Sequence, residues 1–277
     1  MNKPISLPVW FAALLAAPVS ALCLLPTAAT AQPLLGVEAA LSQVSVSADY
    51  MSQNYHESGS LDREIGTLPG AVVDIGYLAP PITGLTDLYL GGEFQYSSGN
   101  LKYHGATLIG DIPVNDNTNT RIENGFIEFG KGFYVGSPDF MLVPVVYWGQ
   151  RNWDRDLEGD YEDEQYRTSR VGVAVHAAWG LSSRITAFGR LGVADTLNPD
   201  MQLYSEGGTL KFYQRSEPEV EAELGLDVLV AYNWHVRAAV DVNQFSYGQS
   251  GDDDGYLEPT SSTTDISVKA GVGYSFP

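Results

Sequence analysis

Asp265-Ile266-Ser267-Val268-Lys269-Ala270-Gly271-Val272-Gly273-Tyr274-Ser275-Phe276, next to the end of the chain, decides the fold. Ile266, Val268, Ala270, Val272, Tyr274 and Phe276 fall on every second position, and Asp265, Ser267, Lys269, Gly271, Gly273 and Ser275 fill the positions between. Successive side chains of a strand point to opposite faces, so this period of two makes a strand with one apolar and one polar face. In a membrane barrel the apolar face would look outward and the polar face into the lumen.

The same division recurs upstream. Val220, Ala222, Leu224, Leu226, Val228 and Val230 alternate with Glu219, Glu221, Glu223, Gly225 and Asp227, and Val236, Ala238, Val240 and Val242 with Arg237, Ala239, Asp241 and Asn243. Val171, Val173, Val175, Ala177 and Trp179 alternate with Arg170, Gly172, Ala174, His176 and Ala178; near the start Val44, Val46, Ala48 and Tyr50 oppose Ser45, Ser47 and Asp49. Two stretches fit less simply. Residues 139–148 are apolar on both faces and include Pro144, and 120–134 puts Lys131 on the face of Ile127 and Phe129. One extra residue flips the faces of a strand, so a bulge is expected in this region.

A soluble sandwich also alternates, and loop lengths discriminate. Short links fall at Pro80-Pro81-Ile82-Thr83-Gly84, Gly136-Ser137-Pro138, Leu181-Ser182-Ser183 and Tyr232-Asn233-Trp234, and long polar links near 53–66, 99–119, 152–165, 197–217 and 248–262. Short periplasmic turns and longer extracellular loops are the asymmetry of transmembrane barrels. Five long links imply about ten strands, with eight or twelve as the alternatives. Tyr77, Tyr89, Phe133, Phe140, Trp179, Trp234, Tyr274 and Phe276 lie near the short turns, and Tyr96, Trp148, Trp153, Phe245 and Tyr247 towards the long links, as two interfacial girdles would.

The amino-terminal stretch supplies the compartment. Lys3 is followed by an apolar run from Val9 to Leu25, interrupted by Pro18 and Ser20, and then by Ala29-Thr30-Ala31. This reads as a secretory signal over 1–31, cut before Gln32 and leaving 32–277 as a single barrel domain. Cleavage would remove Cys23, the one cysteine of the 277 residues, so the mature chain has no disulfide. With 34 acidic and 15 basic side chains, net −19, nucleic acid is an improbable partner.

The terminal pattern Lys269-Ala270-Gly271-Val272-Gly273-Tyr274-Ser275-Phe276, with Gly271, Tyr274 and Phe276 as its signature residues, resembles the carboxy-terminal insertion signal of bacterial outer-membrane proteins. The resemblance implies a closed antiparallel up-and-down β-barrel in the bacterial outer membrane, inserted by the barrel-assembly machinery and surrounded by lipid and lipopolysaccharide. It is nearest in kind to the small opacity-type and OmpA-like barrels. Here Pro277 follows the final aromatic residue.

A ten-strand barrel is narrow, since about eight strands leave room only for side chains. Its inward face is rich in charge. Glu93, Glu128, Glu221, Glu223, Asp227 and Asp241, with Asp49, Asp74 and Asp265, oppose Arg170, Arg190, Arg237 and Lys269, and their pairing would fill the lumen. The main reading is a structural or surface-interaction role with acidic extracellular loops; because the acids outnumber the bases, a narrow cation-preferring pore is the alternative, and an outer-membrane protease or lipid-modifying enzyme a third reading. Histidines argue against the last: His56 and His104 fall in the first two long links outside any Asp-x-His arrangement, and His176 and His235 fall near short turns. No cofactor is indicated. In the third long link Asp154, Asp156, Glu158 and Asp160 alternate with Gly159 at the sixth position, a weak calcium-loop pattern with Gln165 at the twelfth, so a divalent cation at the acidic loops is retained as an expectation. An unknown protein or surface ligand at the loops completes the expected partners.

Overall fold

The computed structural model describes residues 36–59, 62–79, 86–106, 113–157, 163–205, 208–251, 253 and 255–276. The signal over 1–31 and the Pro80–Gly84 link lie outside the described residues. A short helix, α1 (Val37–Leu41), precedes ten long strands: β1 (Gln43–Glu57), β2 (Arg63–Leu78), β3 (Leu88–Ala106), β4 (Pro113–Lys131), β6 (Phe140–Leu157), β7 (Asp163–Gly180), β8 (Ile185–Ser205), β10 (Pro218–Ala231), β11 (Trp234–Tyr247) and β12 (Ser261–Ser275). Two short strands, β5 (Phe133–Tyr134) and β9 (Gly208–Tyr213), pair beside β6 and β8. Each long strand pairs antiparallel with the next, and β12 pairs with β1 from Gln43 opposite Ser275 to Glu57 opposite Ser261, which closes the ring.

Closure gives every ladder amide a partner, as hydrocarbon requires. Alternation then separates two environments. Outward residues are apolar and bare: Leu224 is 71% exposed, Leu191 63% and Val146 58%. On β12 this outer belt runs from Ile266 to Tyr274, about 27 Å along the strand and about 20 Å in height at a tilt of about 40°, against a band of about 25 Å expected of a membrane barrel. Outward polar residues begin at Ser52 on β1, Thr67 on β2 and Gln150 on β6, yet the strands continue well past these points.

That continuation corrects the loop assignments. Hydrogen-bonded ladder reaches Glu57, Ala106, Leu157 and Ser205 inside the expected long links, so much of 53–66, 99–119, 152–165 and 197–217 is strand standing beyond the belt. The girdles are corrected with it. Tyr96, Trp148, Trp179, Trp234 and Tyr274 do face outward, but Tyr89, Trp153, Phe245 and Tyr247 share the inward register and are buried. Phe276 is buried too, its ring 6.4 Å from that of Tyr77.

No bulge interrupts β4 or β6. Lys131 ends β4 on the outer face, 5.8 Å from the Phe133 ring, where a long stem reaches past apolar surface to water. The doubly apolar face of 139–148 has another cause. Met141, Val143, Val145 and Tyr147 point inward and pack with Val37 and Leu41 of α1, so the lumen is apolar at the level where the helix fills it. Register shifts fall instead between Arg167 and Ser169 and between Leu229 and Ala231.

Candidate functional site

The lumen holds the chemistry of this chain, and it is layered. At the short-turn end α1 sits inside the ring against Leu78, Tyr89 and Met141. Gln43, just after the helix, donates to Asp227 at 2.8 Å; that carboxylate also meets His235 Nδ1 at 2.5 Å and Arg237 Nε at 3.6 Å. The Arg237 guanidinium lies 4.4 Å over the Phe188 ring.

The next layer is a charge network built from alternate positions of seven strands. Lys269 Nζ on β12 reaches Glu93 on β3 and Glu223 on β10, each at 3.0 Å. Arg190 on β8 pairs with Glu221 at 2.5 Å and with Glu128 at 3.3 Å, and His176 Nε2 lies 2.7 Å from Glu128. Tyr147 donates to Glu221 at 2.5 Å. Arg170 and Arg151 converge on Glu219: Arg151 Nη2 donates at 2.7 Å, Arg170 Nη1 takes the same oxygen, and the Asn243 amide adds a third bond at 2.9 Å. A cavity of about 70 Å³ remains among these groups, bordered also by Asp74 and Asp241, enough for a few waters. Asp241 stands opposite Glu223 in the ladder and makes no ion pair among the described residues.

Beyond the belt the interior turns aromatic. Trp153, Tyr166 and Tyr247 stack at 5.1 and 5.5 Å between centroids, with Tyr55, Phe212, Phe245 and Met201 packed around them. Arg155 stands in this core, 4.7 Å over Tyr55, bonded to Glu64 at 2.7 Å and Glu164 at 2.5 Å. The segment between β11 and β12 folds back over it. Glu258 is buried and accepts the Tyr166 hydroxyl at 2.9 Å, while its own amide donates to Ser250 Oγ. Burial pushes the Glu258 carboxyl well up, helped by the nearby charges of Glu57 and Glu164. Burial likewise pushes Glu57 up to about 7, against a hydrogen bond from Tyr55 that favours the ionised form.

Glu93, Glu128, Arg170, Arg190, Glu221, Glu223, Asp227, Arg237, Asp241 and Lys269 thus all face the lumen, and the structure places all but Asp241 in ion pairs. Arg151, Arg155, Glu64 and Glu219 were not among the sequence candidates. Arg155 and Glu64 were hidden by reading 152–165 and 53–66 as loops, Arg151 stands at the edge of the first, and Glu219 lay in the alternating set of β10 without being counted as a lumen charge. The weak cation candidates separate. Asp154 points outward and pairs with Arg121, Asp156 points outward one pleat further on, and Glu158 and Asp160 lie outside the described residues. Asp154 and Asp156 share the outer face of β6, and Asp154 is engaged by Arg121. Among the described residues no group of three or more His, Cys, Asp or Glu is arranged to hold a metal ion.

No known family model matches the chain, and no curated protein matches it in sequence. Solved structures do resemble it in fold. The transport unit of the autotransporter AIDA-I from Escherichia coli is 11% identical, with 96% of this chain and 97% of that one covered and a TM-score of 0.45. The translocator domain of the autotransporter NalP from Neisseria meningitidis is 12% identical over 96% of each chain, TM-score 0.44. Ail, the attachment invasion locus protein of Yersinia pestis, is 14% identical over 85% of this chain and 99% of its own, TM-score 0.32. A closed ten-strand ring with a bare apolar belt outside and paired charges inside makes this chain a transmembrane β-barrel of the bacterial outer-membrane type.

Proposed function

We propose that this barrel is a non-conducting, non-enzymatic surface protein, which contacts lipopolysaccharide and external partners through the wall and rim that its long strands raise outside the cell. The filled lumen carries this reading: α1, the charge network, the aromatic core and the Glu258 segment follow one another along the axis. In a barrel of ten strands those layers leave little room for a hydrated path. The terminal strand is the segment that the barrel-assembly machinery would read. A hydrolytic role lacks support, since His176 and His235 are each held by a buried carboxylate within the lumen.

A narrow cation channel is the second reading, favoured by one observation. Asp74, Glu93, Glu128, Glu221, Glu223 and Asp241 outnumber Arg170, Arg190, Arg237 and Lys269 around the cavity. Planar-bilayer recording of the refolded mature chain under a salt gradient separates the two. The filled-lumen reading expects silence from protein shown to be folded. Steady cation-selective steps that weaken in Glu223→Gln would replace it with the channel.

A further inference from the structure

On β1–β3 the outer wall above the belt carries basic side chains and no outward carboxylate among the described residues. In a chain of net −19, one cross-strand row places His56, Arg63 and His104 side by side on β1, β2 and β3, all exposed on the outward register. Lys102 stands outward one row nearer the membrane, between Ile65 and Asn117, with Asn54 in the same row. Arg63 and Lys102 make no ion pair among the described residues, and no described carboxylate shares their face on these strands. The nearest acids, Glu57 and Asp116, are on the lumen-facing register at the rim, and Asp62 accepts the Ala106 amide.

Height chooses the partner. Lys102 lies about four residues and Arg63 about six beyond the level of Tyr50, the last outward aromatic of β1. With a rise of about 3.3 Å per residue and a tilt of about 40°, they stand about 10 and about 15 Å above the belt. The headgroup layer of a phospholipid bilayer is only about 5–8 Å thick on each side. The cations therefore stand above phospholipid phosphates, at the level of a larger headgroup, and the neighbouring asparagines suit sugar hydroxyls. Arg forks and Lys ammonium are phosphate-binding groups.

We propose that the wall of β1–β3 binds the phosphorylated saccharide headgroup of the outer-leaflet glycolipid in which the barrel sits. The site rests on the outward-facing placement of the long strand ends in the reading above, but not on a silent lumen. Direct contact between cations and phosphates replaces the divalent bridging that acidic loops would need.

Native mass spectrometry of the refolded mature chain in detergent tests it, with lipopolysaccharide reduced to lipid A and inner-core sugars as the probe. Binding should fall at least tenfold when the probe's phosphates are removed, and at least tenfold in Arg63→Glu/Lys102→Glu. Arg167→Glu/Lys211→Glu makes the same charge change on β7 and β9 and should bind as the parent does. Heat-dependent gel migration verifies folding of each variant, and Arg63→Gln/Lys102→Gln repeats the test should the charge reversal impair folding. Three results overturn the proposal: unchanged binding in the Arg63/Lys102 variants, an equal loss in the control pair, or preference for a soluble sulfated oligosaccharide over the glycolipid. Conductance is recorded separately, so failure here leaves the filled-lumen reading standing.

Discussion

Glu219 bears the densest set of contacts in the lumen. Its carboxylate is buried between two buried guanidiniums and an amide, and accepts from all three. Removing one member of such a cluster costs more than the pair contributes, because the remaining charges stay buried without compensation. Glu219→Gln keeps the shape and removes the charge, leaving Arg151 and Arg170 facing each other. We expect a loss of about 3–5 kcal/mol, read as a lower urea midpoint for unfolding in lipid vesicles. An unchanged midpoint would mean that water, not Glu219, compensates those cations. At this scale alternation in the sequence made the lumen residues legible, since Glu219, Glu221 and Glu223 alternate with Val220, Ala222 and Leu224. Their partners were not, because the bond between Arg151 and Glu219 joins β6 to β10 across the lumen, and no local spacing encodes that.

Among elements, the segment joining β11 to β12 has the clearest dependence on conditions. Glu258 enters the aromatic core where Glu57, Asp62 and Glu164 face a single cation, Arg155, with Tyr55 and Tyr166 beside them. A carboxyl raised by burial stabilises the folded form below its ordinary value, and that contribution is lost as pH climbs through the folded value. For Glu57 the window runs from 4.5 to about 7, and Glu258 shifts in the same direction. Hydrogen exchange of the 248–260 amides, corrected for intrinsic rates, should show less protection at pH 8 than at pH 5.5, and Glu258→Gln should reduce the difference. Equal protection at both pH values would leave the segment without a carboxyl latch. Strands were most legible where they meet lipid, because there alternation separates apolar from polar; 120–134 and 139–148 were the exceptions. Past the belt both faces change: Asn152, Asp154 and Asp156 lie outside and Trp153, Arg155 and Leu157 inside, so the apolar residues move to the inner face and the stretch reads as a loop. The helix α1 left no sequence trace beyond the doubly apolar 139–148 that packs against it.

The whole molecule depends on one seam. Closure is complete only where β12 meets β1, and there Gly271 lies so close to Val46 O and Ser47 Oγ that an added Cβ would collide, with Ser47 Cα at 2.5 Å. Gly271→Leu should therefore lose the compact band that unboiled barrels show on a denaturing gel, while Ala270→Leu, on the lipid side, keeps it. Compact migration of Gly271→Leu would show that the seam yields. The closed ring and its belt followed from the terminal strand and its repeats; the height to which the sheet rises past the membrane did not. That height changes what a visitor to the cell surface meets. In the proposed orientation the described surface there includes a palisade of hydrogen-bonded sheet, with residues far apart in sequence standing shoulder to shoulder, as His104 stands beside Arg63, 41 positions away. An antibody or receptor fitted to such a surface reads a mosaic that no single peptide of the chain reproduces, and boiling the antigen would erase it.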